Sequence, residues 1–242
     1  MADEPTTRQA TGPDEVAQAL DDGAPLRVLL VREGELPDAT AAVVARARAA
    51  GVEVKPASAA TLWRLSKTDP AADVLGLVGR DPHASLEDVL AGEAPVWLLV
   101  GVAYPGNAGF AVRTAEVSGA AAIVIESRFE RPARRETVRA SMRADWFMPI
   151  FWEPALRTTI RAREAGRRVI AVEDVGERAP WETDLTGRVL LIVGGERYGI
   201  PPEVLEQADA LVRIPMAGFI PSYNLQAAMA AVAVERLRQE RT

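Results

Sequence analysis

Apolar positions in the first third of the chain fall into short blocks of two kinds. The runs over 26–31 and 74–78 are continuous enough to be buried strands, and 52–54 is a third strand candidate. Helical spacing occupies 15–20, 40–50 and 59–65, with Gly51 placed to end the second of these. Pro82 and Gly92 among charged residues make 81–94 read as a linker. Beyond it the alternation lengthens: strands over 96–102, 122–125, 149–151, 169–172, 189–193 and 211–214, and helices over 108–118, 154–165, 202–207 and 222–238. Strands and helices taking turns predict an α/β fold with a mostly parallel sheet covered on both faces. The expected organisation is a polar tail over 1–13, a small α/β domain over 14–80, the linker over 81–94 and a larger α/β domain over 95–242. No internal repeat or low-complexity stretch interrupts it.

Composition narrows the chemistry. The 242 residues contain no Cys and one His, His83, so thiolate nucleophiles, disulfides and histidine-based metal clusters are set aside, and no metal is expected. No stretch approaches the ~18 apolar residues of a membrane span. The polar start has no basic segment followed by an apolar run, so a cytoplasmic location is expected. Net charge is −6, and the excess lies in 1–90, with 15 acids against nine bases; the remainder carries 19 of each. An acidic surface repels polyanions, but Arg128, Arg131, Arg134, Arg135, Arg139 and Arg143 form a local basic cluster suited to RNA phosphate. An exposed, solvated helix or loop would read the same way.

Three strand-end turns combine Gly with polar residues: 104–114, 194–199 and 214–224. An open α/β sheet places its ligand site at such turns. None matches a dinucleotide fingerprint or a P-loop. Singly, each has a structural explanation, with Asn107 and Ser222 as helix N-caps and Gly119 and Gly199 as left-handed residues.

Together, the turns resemble the motifs of SpoU/TrmH-type SPOUT methyltransferases. Asn107-Ala-Gly109 through Arg113 is similar to the first motif. Leu191 through Gly194-Gly-Glu196 to Gly199 is similar to the second, and Ile214-Pro-Met216 through Ser222-Tyr223-Asn224 to the third. Order and spacing agree, and the resemblance spans 96–238. Tyr223 stands where many relatives carry Leu, and Arg143 where they often carry Gly.

The resemblance implies a deep trefoil knot, a homodimer, and S-adenosylmethionine held near Val172, Gly194, Ile214, Met216 and Tyr223. It implies that Arg113 acts on the ribose 2′-hydroxyl of structured RNA, with Asn107, Glu196, Ser222 and Asn224 as orienting groups. A guanidinium is essentially never neutral, so its role is to clamp phosphate and stabilise a developing alkoxide. For Arg113 the bland alternative is an ion pair with Glu116 or Glu196. The first domain resembles the L30-like substrate-binding domain of the family's rRNA enzymes, which favours 23S ribosomal RNA over tRNA. A catalytically silent knotted RNA-binding protein is the rival from another class.

Overall fold

The structure is a computed structural model and describes residues 8–220 and 222–241. The chain forms two compact units, divided between Pro82 and His83.

The first unit contains β1 (Arg8–Thr11), α1 (Gly12–Asp21), β2 (Leu26–Arg32), α2 (Asp38–Ala49), β3 (Glu53–Ala57), α3 (Ala59–Ser66) and β4 (Val74–Val78). Its sheet runs β1-β4-β2-β3, with β4 antiparallel to both neighbours and β3 parallel to β2. Leu29, Val31, Val74 and Val78 meet Val16, Ala19, Val43, Val44 and Ala47 in one core. Gly51, at φ +79°, ends α2 as expected.

The tail expected over 1–13 is shorter than its polarity suggested. Residues 8–11 pair with β4 as an edge strand, and Ala10 is fully buried. Gly76 opposite leaves room for it, since a Cβ there would lie 2.7 Å from Leu26 Cδ1 and 3.4 Å from Ala10 Cβ. Residues 1–7 of that expected tail lie outside the described residues. Arg27, Arg32, Arg46 and Lys55 pair with Asp81, Asp73, Asp21 and Glu53, so four of this unit's bases are committed internally.

The second unit opens with α4 (Leu86–Ala91), then β5 (Val96–Val102), α5 (Pro105–Val117), β6 (Ala122–Ser127), α6 (Arg131–Ala140) and β7 (Ile150–Phe151). It continues with α7 (Ala155–Glu164), β8 (Arg168–Val172), β9 (Val189–Gly194), α8 (Pro202–Leu205), β10 (Ala210–Val212) and α9 (Leu225–Gln239). The six strands run β10-β8-β9-β5-β6-β7, all parallel. Their buried residues alternate between two cores. Trp97, Leu99, Ile123, Ile125, Leu191 and Val193 face α5 and α9. Val96, Leu98, Val124, Leu190 and Ile192 face α4, α7 and α8. Strands buried on both sides read as unbroken apolar runs, as these do.

Two segments differ from the sequence expectation. The stretch 81–94 is not a bare linker, because α4 folds within it. Leu86, Val89 and Leu90 enter the second core at helical spacing, and burying side chains of this size is worth roughly 1.5–3 kcal/mol each. Ser85 caps the helix by accepting from Asp88 N at 3.1 Å. The basic cluster lies mostly on α6, whose buried residue is Thr137. Gly109 permits that helix to pack closely on α5: a Cβ on it would fall 2.5 Å from Ala140 Cβ and 2.6 Å from Thr137 O.

Among the described residues no helix is long and apolar enough to cross a membrane. No group of three or more His, Cys, Asp or Glu is placed to hold a metal there.

Candidate active site

The loops leaving β8, β9 and β10 converge with the start of α9 around a cleft of about 810 Å³, its open mouth included. Val172, Gly194, Ile214, Met216 and Tyr223, the five positions expected to hold a cofactor, all line it, as do Glu196 and Ser222.

The floor is shaped by backbone packing. A Cβ on Gly195 would lie 2.3 Å from Gly101 O and 2.8 Å from Val100 O, and Gly195 N donates to Val100 O at 2.7 Å. A Cβ on Gly194 would meet Gly199 C at 2.7 Å. Gly199, at φ +64°, turns the chain back, and the sequence reading of it as a left-handed residue holds. Glu173, which that reading passed over, joins two loops by accepting from Ile200 N at 2.9 Å. An acid directly after a strand that ends at the cleft was the available signal.

Side-chain hydrogen bonds join all three motifs. Asn107 Nδ2 donates to Glu196 Oε1 at 2.7 Å, and Ala103 N donates to Glu196 Oε2 at 3.0 Å. Asn224 Nδ2 donates to Asn107 Oδ1 at 3.4 Å, while Asn224 Oδ1 accepts from Gln226 N at 3.0 Å. Each amide therefore has one direction, set by the carboxylate at one end and the helix N-terminus at the other. The bland assignments of Asn107 and Ser222 as N-caps are corrected. Pro105 starts α5 two residues before Asn107, leaving Tyr104 at the cap, and Asn224 is the residue that caps α9. Tyr223 Oη donates to Pro215 O at 3.2 Å, pinning the third loop across its own base.

Arg113 is not brought into this network. It is exposed, does not line the cleft, and makes no hydrogen bond or ion pair among the described residues. The ion pair with Glu116 or Glu196 is therefore absent. Six residues beyond Asn107, it lies about 240° around α5. It shares a face with Phe110 and Val117, both exposed.

Within the basic cluster, two members are engaged locally. Arg134 donates to Phe129 O at 3.1 Å and lies over the Trp152 ring at 4.7 Å. Arg143 grips Asp145 through two bonds, 3.1 and 3.2 Å, and lies over Trp146 at 4.8 Å. Its φ of +64° is a conformation that glycine adopts without strain. Arg128, Arg131, Arg135 and Arg139 are exposed, the last three at four-residue spacing along one side of α6.

A doubly covered parallel sheet with a cleft at the carboxyl ends of its strands is the arrangement of nucleotide- and cofactor-binding α/β proteins. Within that class, the chain belongs to the SpoU rRNA Methylase family, which residues 95–234 match. It is 31% identical over 198 residues to the 23S rRNA (guanosine-2′-O-)-methyltransferase RlmB of Ralstonia nicotianae, covering 80% of each chain. The enzyme of that name from Pseudomonas syringae pv. tomato is 32% identical over 161 residues, covering 65% of this chain and 64% of its own. Among solved structures, the AdoMet-bound rRNA methyltransferase from Sinorhizobium meliloti superposes with a TM-score of 0.60 at 29% identity. That match covers 98% of this chain and 88% of the other.

Proposed function

We propose that this chain is an S-adenosylmethionine-dependent RNA 2′-O-ribose methyltransferase acting on 23S ribosomal RNA. The observation that carries the reading is one cleft beside one hydrogen-bonded chain, Glu196–Asn107–Asn224, that draws on all three motifs. The lining suits the cofactor. Val172, Val193, Ile214 and Leu225 offer apolar wall to an adenosyl group, and Glu173, Asp174 and Glu196 offer negative charge to sulfonium and ammonium. Arg213 supplies a cation for the carboxylate of the methionine tail. When bound, the cofactor provides a methyl group activated by its positive sulfur.

The protein's own contribution is positioning and charge. Asn107, Ser222 and Asn224 orient the ribose, and Glu196 holds the first motif against the second. Arg113 stabilises negative charge as it develops on the 2′-oxygen. Arg128, Arg131, Arg135 and Arg139 grip phosphate.

The active species is a cytoplasmic homodimer paired through α5 and α9, with the expected trefoil knot in the second unit. Phe110 and Val117 on α5 and Val234 on α9 are exposed apolar residues that a second copy would cover. Arg113 lies between the first two on the helix, so pairing would bring it to the boundary between copies. The first unit serves as an L30-like substrate-binding domain. The two relatives are named for a guanosine target, which makes guanosine the expected base.

The test has three readouts: calorimetry with S-adenosylmethionine, transfer of labelled methyl to separate 23S rRNA and tRNA pools, and sedimentation. Binding, label in 23S rRNA and a dimer mass are expected. Label in tRNA alone would change the substrate, and no cofactor binding would make the chain a silent scaffold.

Gly195→Ala offers a sharper check on the cleft. Its new methyl meets fixed backbone on β5, so the turn must move. A stability loss of roughly 1–3 kcal/mol is expected, together with a fall in cofactor affinity of about tenfold or more, read by calorimetry. Gly106→Ala, where a Cβ meets nothing within 4 Å, should behave as wild type.

A further inference from the structure

We infer that Tyr104 and Arg197 form a stacking platform for an unpaired base of the RNA substrate at the rim of the cleft, an inference that rests on the methyltransferase reading above. Tyr104 is half-exposed at the N-cap of α5 and makes no capping bond. Ser, Thr, Asp and Asn are strongly favoured there because their short side chains satisfy helix N–H groups. Tyr forgoes that gain while leaving an aromatic face in water. A local rule broken beside an active site is where a functional demand is expected.

The surroundings define the demand. The Arg197 guanidinium carbon lies 5.9 Å from the centroid of the Tyr104 ring, and Arg197 also lines the cleft. Its neighbour Tyr198 is almost fully exposed on the same turn. The Ala103 N–H bond to Glu196 ties the backbone beside Tyr104 to that turn, so the planar groups are held at the cleft rather than on a loose segment. A π-face with a guanidinium beside it is the surface on which splayed-out RNA bases stack. Every base has such a face, so the platform contributes affinity and orients the attached ribose without selecting sequence.

The test compares Tyr104→Phe, Tyr104→Leu and Tyr104→Ser, using unmodified 23S rRNA transcript as substrate. Phe keeps the π-face and should match wild type. Leu keeps apolar bulk but loses stacking, and its KM for RNA should rise about tenfold or more, with cofactor affinity unchanged. Ser should lose RNA affinity to the same degree while its melting temperature stays level or rises, because it gains a cap. A structural role would instead lower stability and activity together. A KM for the Leu variant within about twofold of wild type would overturn the platform.

Failure of the wild type to methylate the transcript would count against the enzyme assignment alone. The platform is then read with a single-stranded oligoribonucleotide carrying 2-aminopurine. Wild type should quench its fluorescence and the Leu variant should not; equal quenching by both overturns the inference.

Discussion

Arg113→Ala is expected to lower the rate of methyl transfer by at least about 10²–10³-fold, the usual effect of removing one preorganised group that stabilises an oxyanion. Cofactor affinity should stay at the wild-type value, since Arg113 does not line the cleft. Lys at this position keeps a charge but loses the planar fork, so partial activity is expected. The residue's freedom sharpens the prediction. An arginine held in an internal ion pair would cost stability when removed, whereas exposed Arg113 has no partner among the described residues and should leave the melting temperature within about 1 °C. Mixing Arg113→Ala and Gly195→Ala chains asks which cleft it serves. Recovered activity would assign it to the partner's cleft. Activity of the single variant within about tenfold of wild type would remove Arg113 from the mechanism.

The layers of the fold were legible because strands buried on both faces leave unbroken apolar runs, and β5, β6, β8 and β9 do so. Polar segments were not legible by the same rule. In α4, Ser85, Asp88 and the spacing of Leu86, Val89 and Leu90 amount to a helix signal, but Pro82, Gly92 and Pro95 punctuate it as a linker would. In α6 four arginines among ten residues mask the helix signal, and its close approach to α5 depends on a side chain missing from another element, that of Gly109. Edge strand β1 is four residues long, and Ala10 is its one apolar residue.

At the site, the motif residues were readable but their grouping was not. Asn107, Glu196 and Asn224 lie 89 and 117 positions from their hydrogen-bond partners, and only folding shows that they form one chain of bonds. Arg113 shares a motif with Asn107 yet faces elsewhere, because six residues along a helix is not a whole number of turns. Glu173 and Tyr104 carry little sequence signal of their roles for the opposite reason. Each is an ordinary residue type whose role depends on what the next loop brings beside it.

Arg167→Met is expected to have the largest effect on stability, roughly 3–5 kcal/mol, the cost of stranding several buried backbone acceptors that one cation satisfies. Arg167 is 3% exposed, and its guanidinium donates to five backbone carbonyls: Val89, Leu90, Gly92, Ala94 and Val189, at 2.6 to 3.2 Å. Burial, with Arg188 nearby, pushes its pKa down to about 10, so it remains a cation at neutral pH. Four of those carbonyls close α4 and the turn after it, where a positive charge also complements the helix dipole. Removing the fork strands acceptors that cost about 1–3 kcal/mol each when buried and unmet, less whatever water reaches after relaxation. At roughly 2–4 °C per kcal/mol for a unit of this size, the melting temperature should fall by about 10 °C or more. Lys should recover little of the loss, because one ammonium cannot span five acceptors. Arg167 sits at the amino end of β8 and the cleft at its carboxyl end. Cofactor binding measured well below the new melting temperature should therefore stay intact, while hydrogen exchange over 86–91 speeds up. A melting temperature within about 2 °C of wild type would mean that α4 is held by its apolar face alone.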